Sequence, residues 1–266
     1  MPKIKINDIN MYYEIHGKGE PLIFVSGFSA DHLSWTPLLA EFSGEYQVVL
    51  FNNRGVGQTD APSGKYSIEQ MAKDIADLCH ALNITSAHFV GNSMGGFLVQ
   101  MLAFQYPSLT KSIVISNSGM TINTPFHFFV AAQLELMKAN APKESLIKTM
   151  CPWAFSFQFL SQSGKFDELI KWGMDNPYPF TIAGYEGQYA ALDSFDSTSW
   201  ANKIKAPTLV ITADQDIILR SEFSKQLSSE IFGAQYYCFE NCGHVPHLEY
   251  PKQYAEIVKS FLKTIH

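Results

Sequence analysis

The sequence predicts an α/β fold: a mostly parallel, eight-stranded sheet with helices on both faces and a helical insertion in the middle section of the chain. Three observations predict it. Short apolar runs of strand length alternate with runs of helical period, as when parallel strands are joined by crossover helices. That alternation stops between about Met120 and Trp200 and then resumes. The run Val90-Gly91-Asn92-Ser93-Met94-Gly95-Gly96 lies where one strand hands over to one helix.

The elements follow in order. Lys3 to Ile6 and Met11 to Ile15 read as strands, followed by a turn at His16-Gly17-Lys18-Gly19. Leu22 to Val25 is apolar on both faces, which marks a central buried strand. Ser34 to Phe42 reads as a short helix with Trp35, Leu38, Leu39 and Phe42 inward, and Gln47 to Phe51 as a strand. Ser67 is a suitable N-cap for a helix over Ile68 to Leu82, whose apolar residues recur at helical spacing. Ala87 to Val90 is a strand, Ser93 to Tyr106 a helix stopped by Pro107, and Ser112 to Ser116 a strand. After the break come a strand (Pro207 to Thr212), a helix (Ser221 to Glu230), a strand (Tyr236 to Phe239) and a closing helix (Tyr254 to Leu262). The expected organisation is a core of residues 1–119 and 201–266, with residues 120–200 inserted as an aromatic-rich helical cap over the sheet's carboxyl edge.

Bulk properties exclude several classes. At 266 residues the chain can bury a large core. A net charge of −6 gives no nucleic-acid footprint. Met1 to Asn10 lacks the apolar stretch of a signal peptide, and no run approaches the ~20 apolar residues of a membrane span. The four cysteines form no C-x-x-C pair, which fits free thiols in a reducing cytoplasm. Asn83-Ile84-Thr85 therefore matches a glycosylation acceptor by chance.

The turn at Ser93 is the chemical signal. It is a G-x-S-x-G pattern flanked by a strand and a helix. A serine hydroxyl becomes a useful nucleophile only when a base takes its proton. On a tight strand-to-helix turn its oxygen stands above the sheet edge, within reach of a base and a substrate carbonyl. Small residues at Gly91 and Gly95 allow such a turn. The Met94 amide, at the helix N-terminus, would face an oxyanion. A plain N-cap serine is the structural alternative.

A base and an orienting acid should follow at other strand ends. The run Ala213-Asp214-Gln215-Asp216 follows one strand and offers two acids, Asp214 and Asp216. Cys242-Gly243-His244 follows the next strand. His247, after Pro246, reads as a packing residue. The loop after Leu22 to Val25 should supply a second oxyanion donor. Gly27 gives that loop freedom to turn, and the N–H of Phe28 is the candidate.

Together these residues resemble the α/β-hydrolase fold family with a helical cap, over nearly the whole chain. Asn53-Arg54-Gly55-Val56-Gly57-Gln58-Thr59-Asp60 is similar to the family's loop after the fourth strand, where Arg54 and the glycines brace a turn. Ala213-x-x-Asp216 resembles its acid motif, G-x-x-D, and so favours Asp216 over Asp214. Gly243-His244 through Glu249-Tyr250-Pro251 resembles its G-H-x-x-x-x-E-x-P signature. Three residues depart from the pattern: Ser26 for the usual His before the oxyanion donor, Asn52 for Asp, and Ala213 for Gly. A serine at position 93 argues against a dehalogenase or epoxide hydrolase, which would carry Asp there.

The resemblance implies a serine hydrolase of the carboxylesterase type, acting on small, mostly apolar esters. Its catalytic triad would be Ser93, Asp216 and His244, with Phe28 and Met94 as oxyanion donors and no metal or organic cofactor. The partner implied is a small-molecule ester; a homodimer is left open. Enol-lactonase, C–C bond hydrolase, thioesterase, aminopeptidase and perhydrolase activities share the motifs, and a non-enzymatic small-molecule receptor could retain them. An aminopeptidase would need cap carboxylates, and the candidates are Glu135, Glu144, Asp167, Glu168, Asp175, Glu186, Asp193 and Asp196.

Overall fold

The computed structural model describes residues 2–122 and 124–265. Strands β1 (Lys3–Ile6), β2 (Ile9–His16) and β3 (Glu20–Val25) come first. A 3₁₀ stretch, His32–Leu38, continues into the single turn α1 (Leu39–Phe42). Next are β4 (Tyr46–Phe51), α2 (Ile68–Ala81), β5 (Ala87–Asn92), α3 (Met94–Gln105) and β6 (Thr110–Ser116). Among the described residues five helices then follow without an intervening strand: α4 (Phe126–Lys138), α5 (Lys143–Ala154), α6 (Phe157–Leu160), α7 (Lys165–Asp175) and α8 (Ile182–Asp193). The chain closes with β7 (Thr208–Ala213), α9 (Ser221–Glu230), β8 (Gln235–Phe239), α10 (Pro246–Glu249) and α11 (Pro251–Leu262).

The eight strands form one sheet in the order β1-β2-β4-β3-β5-β6-β7-β8. Only the pairings of β2, with β1 and with β4, are antiparallel. The β3–β5 register sets Phe24 beside Val90 and Val25 beside Gly91. The β5–β6 register sets Asn92 beside Ser116. The ends of β3, β5 and β6 therefore lie side by side.

Alternation along the strands divides the core. Ile23 and Val25 face one cluster, while Leu22 and Phe24 face the other. In β4, Val49 and Phe51 are likewise separated from Val48 and Leu50. Both faces are covered, which is why these strands are continuous apolar runs. α2, capped by Ser67 accepting from the Gln70 amide, packs Ile68, Met71, Ile75 and Leu78 on the first face. α11 packs Tyr254, Val258 and Phe261 on the second. α3 is buried from Met94 through Ala103.

One predicted element differs in kind. Ser34 to Phe42 is not a continuous α-helix. Pro37 removes one amide donor, and Asp31 caps a tighter 3₁₀ turn by accepting from the Leu33 amide.

The loop after β4 is anchored by a buried cation. Arg54 Nε donates to Asp74 Oδ2 at 2.8 Å, and Nη2 donates to Asp8 Oδ1 at 2.7 Å. Burial alone would lower the Arg54 pKa, but the bonds to Asp8 and Asp74 outweigh it and raise it. The two acids are unequal partners: the Asp74 side chain is 1% exposed, that of Asp8 56%. Asp74→Ala removes the buried partner of a buried charge, leaving Arg54 the largely exposed Asp8 alone, and should cost about 3–5 kcal/mol. Asp8→Ala should cost at most about 1 kcal/mol. Urea unfolding of the two variants checks the difference, and equal losses would refute it.

Candidate active site

Ser93 occupies a strained backbone position, φ 56° and ψ −121°, between β5 and α3. Its amide donates to the Ser116 carbonyl at 2.9 Å, and its carbonyl accepts from the Gly96 amide and the Ser118 hydroxyl. The flanking glycines are required by contact. A Cβ on Gly91 would stand 2.2 Å from the Gly95 carbonyl oxygen. One on Gly95 would stand 2.1 Å from the Val25 carbonyl oxygen. No side chain fits in either gap, so the turn closes only with hydrogen at both positions.

The loop after β3 lies over this turn. A Cβ on Gly27 would be 3.1 Å from Ser93 Cβ and 3.7 Å from Ser93 Oγ. Among the described residues, the amides of Phe28 and Met94 donate to no protein acceptor. Ser26 braces the loop. Its hydroxyl donates to the Asp31 carbonyl, and its carbonyl accepts from Asn53 Nδ2. The change at position 52 is also structural: Asn52 Oδ1 accepts from the amide and Nδ1 of His32.

Of the two acids, the structure puts Asp216 on the histidine. His244 Nδ1 lies 2.8 Å from Asp216 Oδ2. The same oxygen accepts from Asn117 Nδ2 at 2.9 Å, while Oδ1 accepts from the amides of Ile218 and Leu219. Asp214 turns away and accepts from the Cys242 amide. Held to Asp216 through Nδ1, the imidazole has Nε2 as its remaining ring nitrogen. His244 and Ser93 line the same cavity.

Glu249 holds the histidine loop from below. Its Oε1 accepts from the amides of Gly243 and Ser156, and its Oε2 accepts from the Ser156 hydroxyl. Burial raises the Glu249 pKa against the pull of these bonds. The His244 amide donates to the Ala154 carbonyl, so the loop is tied to the α5–α6 junction twice.

The cavity has a volume of about 600 Å³, inside the range of small-molecule sites. Ser93 and His244 stand at one side; Leu146, Trp172, Phe180 and Tyr185 are among the apolar residues enclosing it. All eight acids from the 120–200 region are exposed, and none lines it. The carboxylate that does is Asp31, whose oxygens already accept from the Leu33 amide and Asn176 Nδ2. The cysteines are free. Cys151 reaches the cavity, but burial pushes its thiol up to about 11, leaving it protonated and weakly reactive. Among the described residues no group of three or more His, Cys, Asp or Glu is placed to hold a metal ion, and no helix is long and apolar enough to cross a membrane.

Asn117, Gln188 and Glu249 all bond to segments of the site; in the sequence Glu249 stands out only as a member of the G-H-x-x-x-x-E-x-P pattern, and Asn117 and Gln188 go unassigned. Asn117 signals itself only as a polar residue just past β6. Gln188 carries no local signal.

The chain belongs to the α/β-hydrolase fold family, whose model matches residues 20–251. Among curated proteins it is similar to 3-oxoadipate enol-lactonase 1 of Acinetobacter baylyi, 28% identical over 244 residues, 92% of this chain and 89% of that protein. It is also similar to pyrrolizixenacetamide deacetylase of Xenorhabdus hominickii, 27% identical over 268 residues and 98% of each chain. Among solved structures, the enol-lactonase of Burkholderia xenovorans superposes with a TM-score of 0.88 at 24% identity, covering 98% of this chain and 100% of that one. A thermophilic esterase of Thermogutta terrifontis gives 0.88 at 22% identity, covering 100% of both. At these identities the structures show the shared fold.

His247 behaves as packing. It is 3% exposed and stacks on Trp35 with ring centroids 4.2 Å apart. Burial first, and the nearby His244 second, pull its pKa down to about 3 from 6.5. The folded chain thus refuses a proton that the unfolded chain accepts. The resulting stability is complete above about pH 6.5 and is lost as pH falls toward about 3, by up to about 1.4 kcal/mol per unit. Urea titrations should show the wild type losing ground to His247→Phe as pH drops through this window. A gap independent of pH would exclude the effect.

Proposed function

We propose that the protein is a serine hydrolase of small, mostly apolar carboxylic esters, with residues 120–200 as a helical cap on a core of 1–119 and 201–266. The observation carrying this reading is the His244–Asp216 pair opening on the cavity that Ser93 also lines. In the proposed reaction His244 takes the Ser93 proton as Ser93 Oγ attacks the ester carbonyl. Asp216 holds the imidazole tautomer and stabilises its charged form. The Phe28 and Met94 amides receive the oxyanion. His244 then protonates the leaving alcohol, and water releases the acyl group by the same steps.

The apolar lining supports acyl or aryl groups over charged ones. The exposure of all eight cap acids leaves the aminopeptidase reading without the carboxylates it needs. Similarity to an enol-lactonase favours cyclic esters as a second group of substrates.

A fluorophosphonate probe followed by peptide mapping should modify Ser93. p-Nitrophenyl esters of short chain should turn over, and Ser93→Ala should lower that rate at least about a thousandfold. Label on another serine, or none on folded protein, would overturn the nucleophile. Hydrolysis of a vinylogous diketone but of no ester would move the activity to C–C bond cleavage.

A further inference from the structure

We infer that Gln188, on α8, is a positioning residue for the second oxyanion donor. The inference rests on the serine-hydrolase reading above. Gln188 is fully buried, and both ends of its amide are engaged. Oε1 accepts from the Ser29 amide at 2.9 Å, and Nε2 donates to the Arg54 carbonyl at 2.7 Å. The amide it holds is the one directly after Phe28.

Ser29 needs holding. Its φ is +56°, a left-handed conformation that disfavours residues with a Cβ. Left to itself, this stretch would relax toward a common conformation, turning the Phe28–Ser29 peptide and with it the adjoining Gly27–Phe28 peptide that carries the Phe28 N–H. The Gln188 acceptor is directional, so it fixes the Ser29 N–H and thereby limits that rotation. Tyr185 adds a second hold from the same face of α8, three residues earlier: its ring meets that of Phe28 edge-on at 4.6 Å.

The reference point is rigid. α8 sits against the loop after β4 so closely that a Cβ on Gly184 would be 1.9 Å from the Gly55 carbonyl oxygen. A Cβ on Gly187 would be 2.5 Å from the Tyr66 ring. The Arg54 carbonyl that receives Gln188 belongs to the residue clamped by Asp74 and Asp8. The line of support thus runs from a buried ion pair, through one side-chain amide, to the loop above Ser93. α8 thus supplies part of the bracing of the loop after β3.

Gln188→Met keeps the side-chain volume and removes both hydrogen bonds. With p-nitrophenyl butyrate, kcat should fall about tenfold to a hundredfold, because a small misplacement of an oxyanion donor is costly. KM should stay within about threefold. Inhibition by butylboronic acid, whose Ser93 adduct bears an oxyanion, should weaken in step with kcat. Inhibition by neutral 1-hexanol should not change. Gln188→Glu keeps an acceptor for Ser29 and should recover part of the loss. An unchanged kcat, or equal weakening of hexanol and boronate, would overturn the inference. If both variants fail to fold, a crystal structure of the wild-type boronate adduct decides: its oxygen should lie about 2.7–3.1 Å from the Phe28 nitrogen, and a separation beyond hydrogen-bond reach overturns it. Absence of any boronate adduct at Ser93 would instead remove the serine-hydrolase reading itself.

Discussion

The turn at Ser93 is possible because backbone is allowed to touch backbone. Gly91 meets the Gly95 carbonyl, and Gly95 meets the Val25 carbonyl, at distances that exclude any side chain. This contact sets the angle between β5 and α3. It also brings the end of β3 against the start of α3, so the loop after β3 passes directly over the serine. One steric constraint therefore places both the hydroxyl and the two amides that flank it. The strain at Ser93 persists because β3, β5 and β6 are buried on both faces and cannot shift to release it.

The opposite side of the site is built from charge and hydrogen bonds. Asp216 accepts from two amides of its own loop and from Asn117, which leaves His244 one orientation in which to pair with it. Glu249 then fixes the backbone on which that histidine rides. The serine side is thus fixed by exclusion and the histidine side by saturation of acceptors. Neither depends on the contents of the cavity, so the two halves are in place before any ligand enters.

What could be read from the sequence divides along the same line. Gly91, Ser93 and Gly95 are neighbours, and their meaning is local, so their pattern sufficed. Asp216 and His244 were legible because each follows a strand, and parallel strands end at one edge. The choice of Asp216 over Asp214 came from motif spacing, and the structure supplies its physical content: Asp214 is occupied by the Cys242 amide. Strands and long helices were legible from their periods. The 3₁₀ stretch was not, because Pro37 changes the hydrogen-bond pattern without altering the apolar spacing. Asn117 and Gln188 were not legible because their partners lie 99 and 159 residues away. A polar side chain buried for such a partner looks, in one dimension, like any other.

The distribution of these long-range partners bears on what the helices between β6 and β7 do. Covering a cavity needs only apolar surface, and Leu146, Trp172 and Phe180 provide it. Gln188, Ala154 and Ser156 make polar contacts instead, each with the core segments that carry or support site residues: the loop after β3, the histidine loop and Glu249. A helical segment tied in this way cannot swing open as a passive lid without disturbing Phe28 and His244 together. On the proposed reading, substrate entry is better served by the wall formed by α4, α7 and the first turns of α5, away from Ala154. On that reading the wall selects the acyl group, while α8 and the α5–α6 junction hold the loop after β3 and the histidine loop in place. Substitutions on the wall should accordingly change selectivity with little effect on the geometry around Ser93.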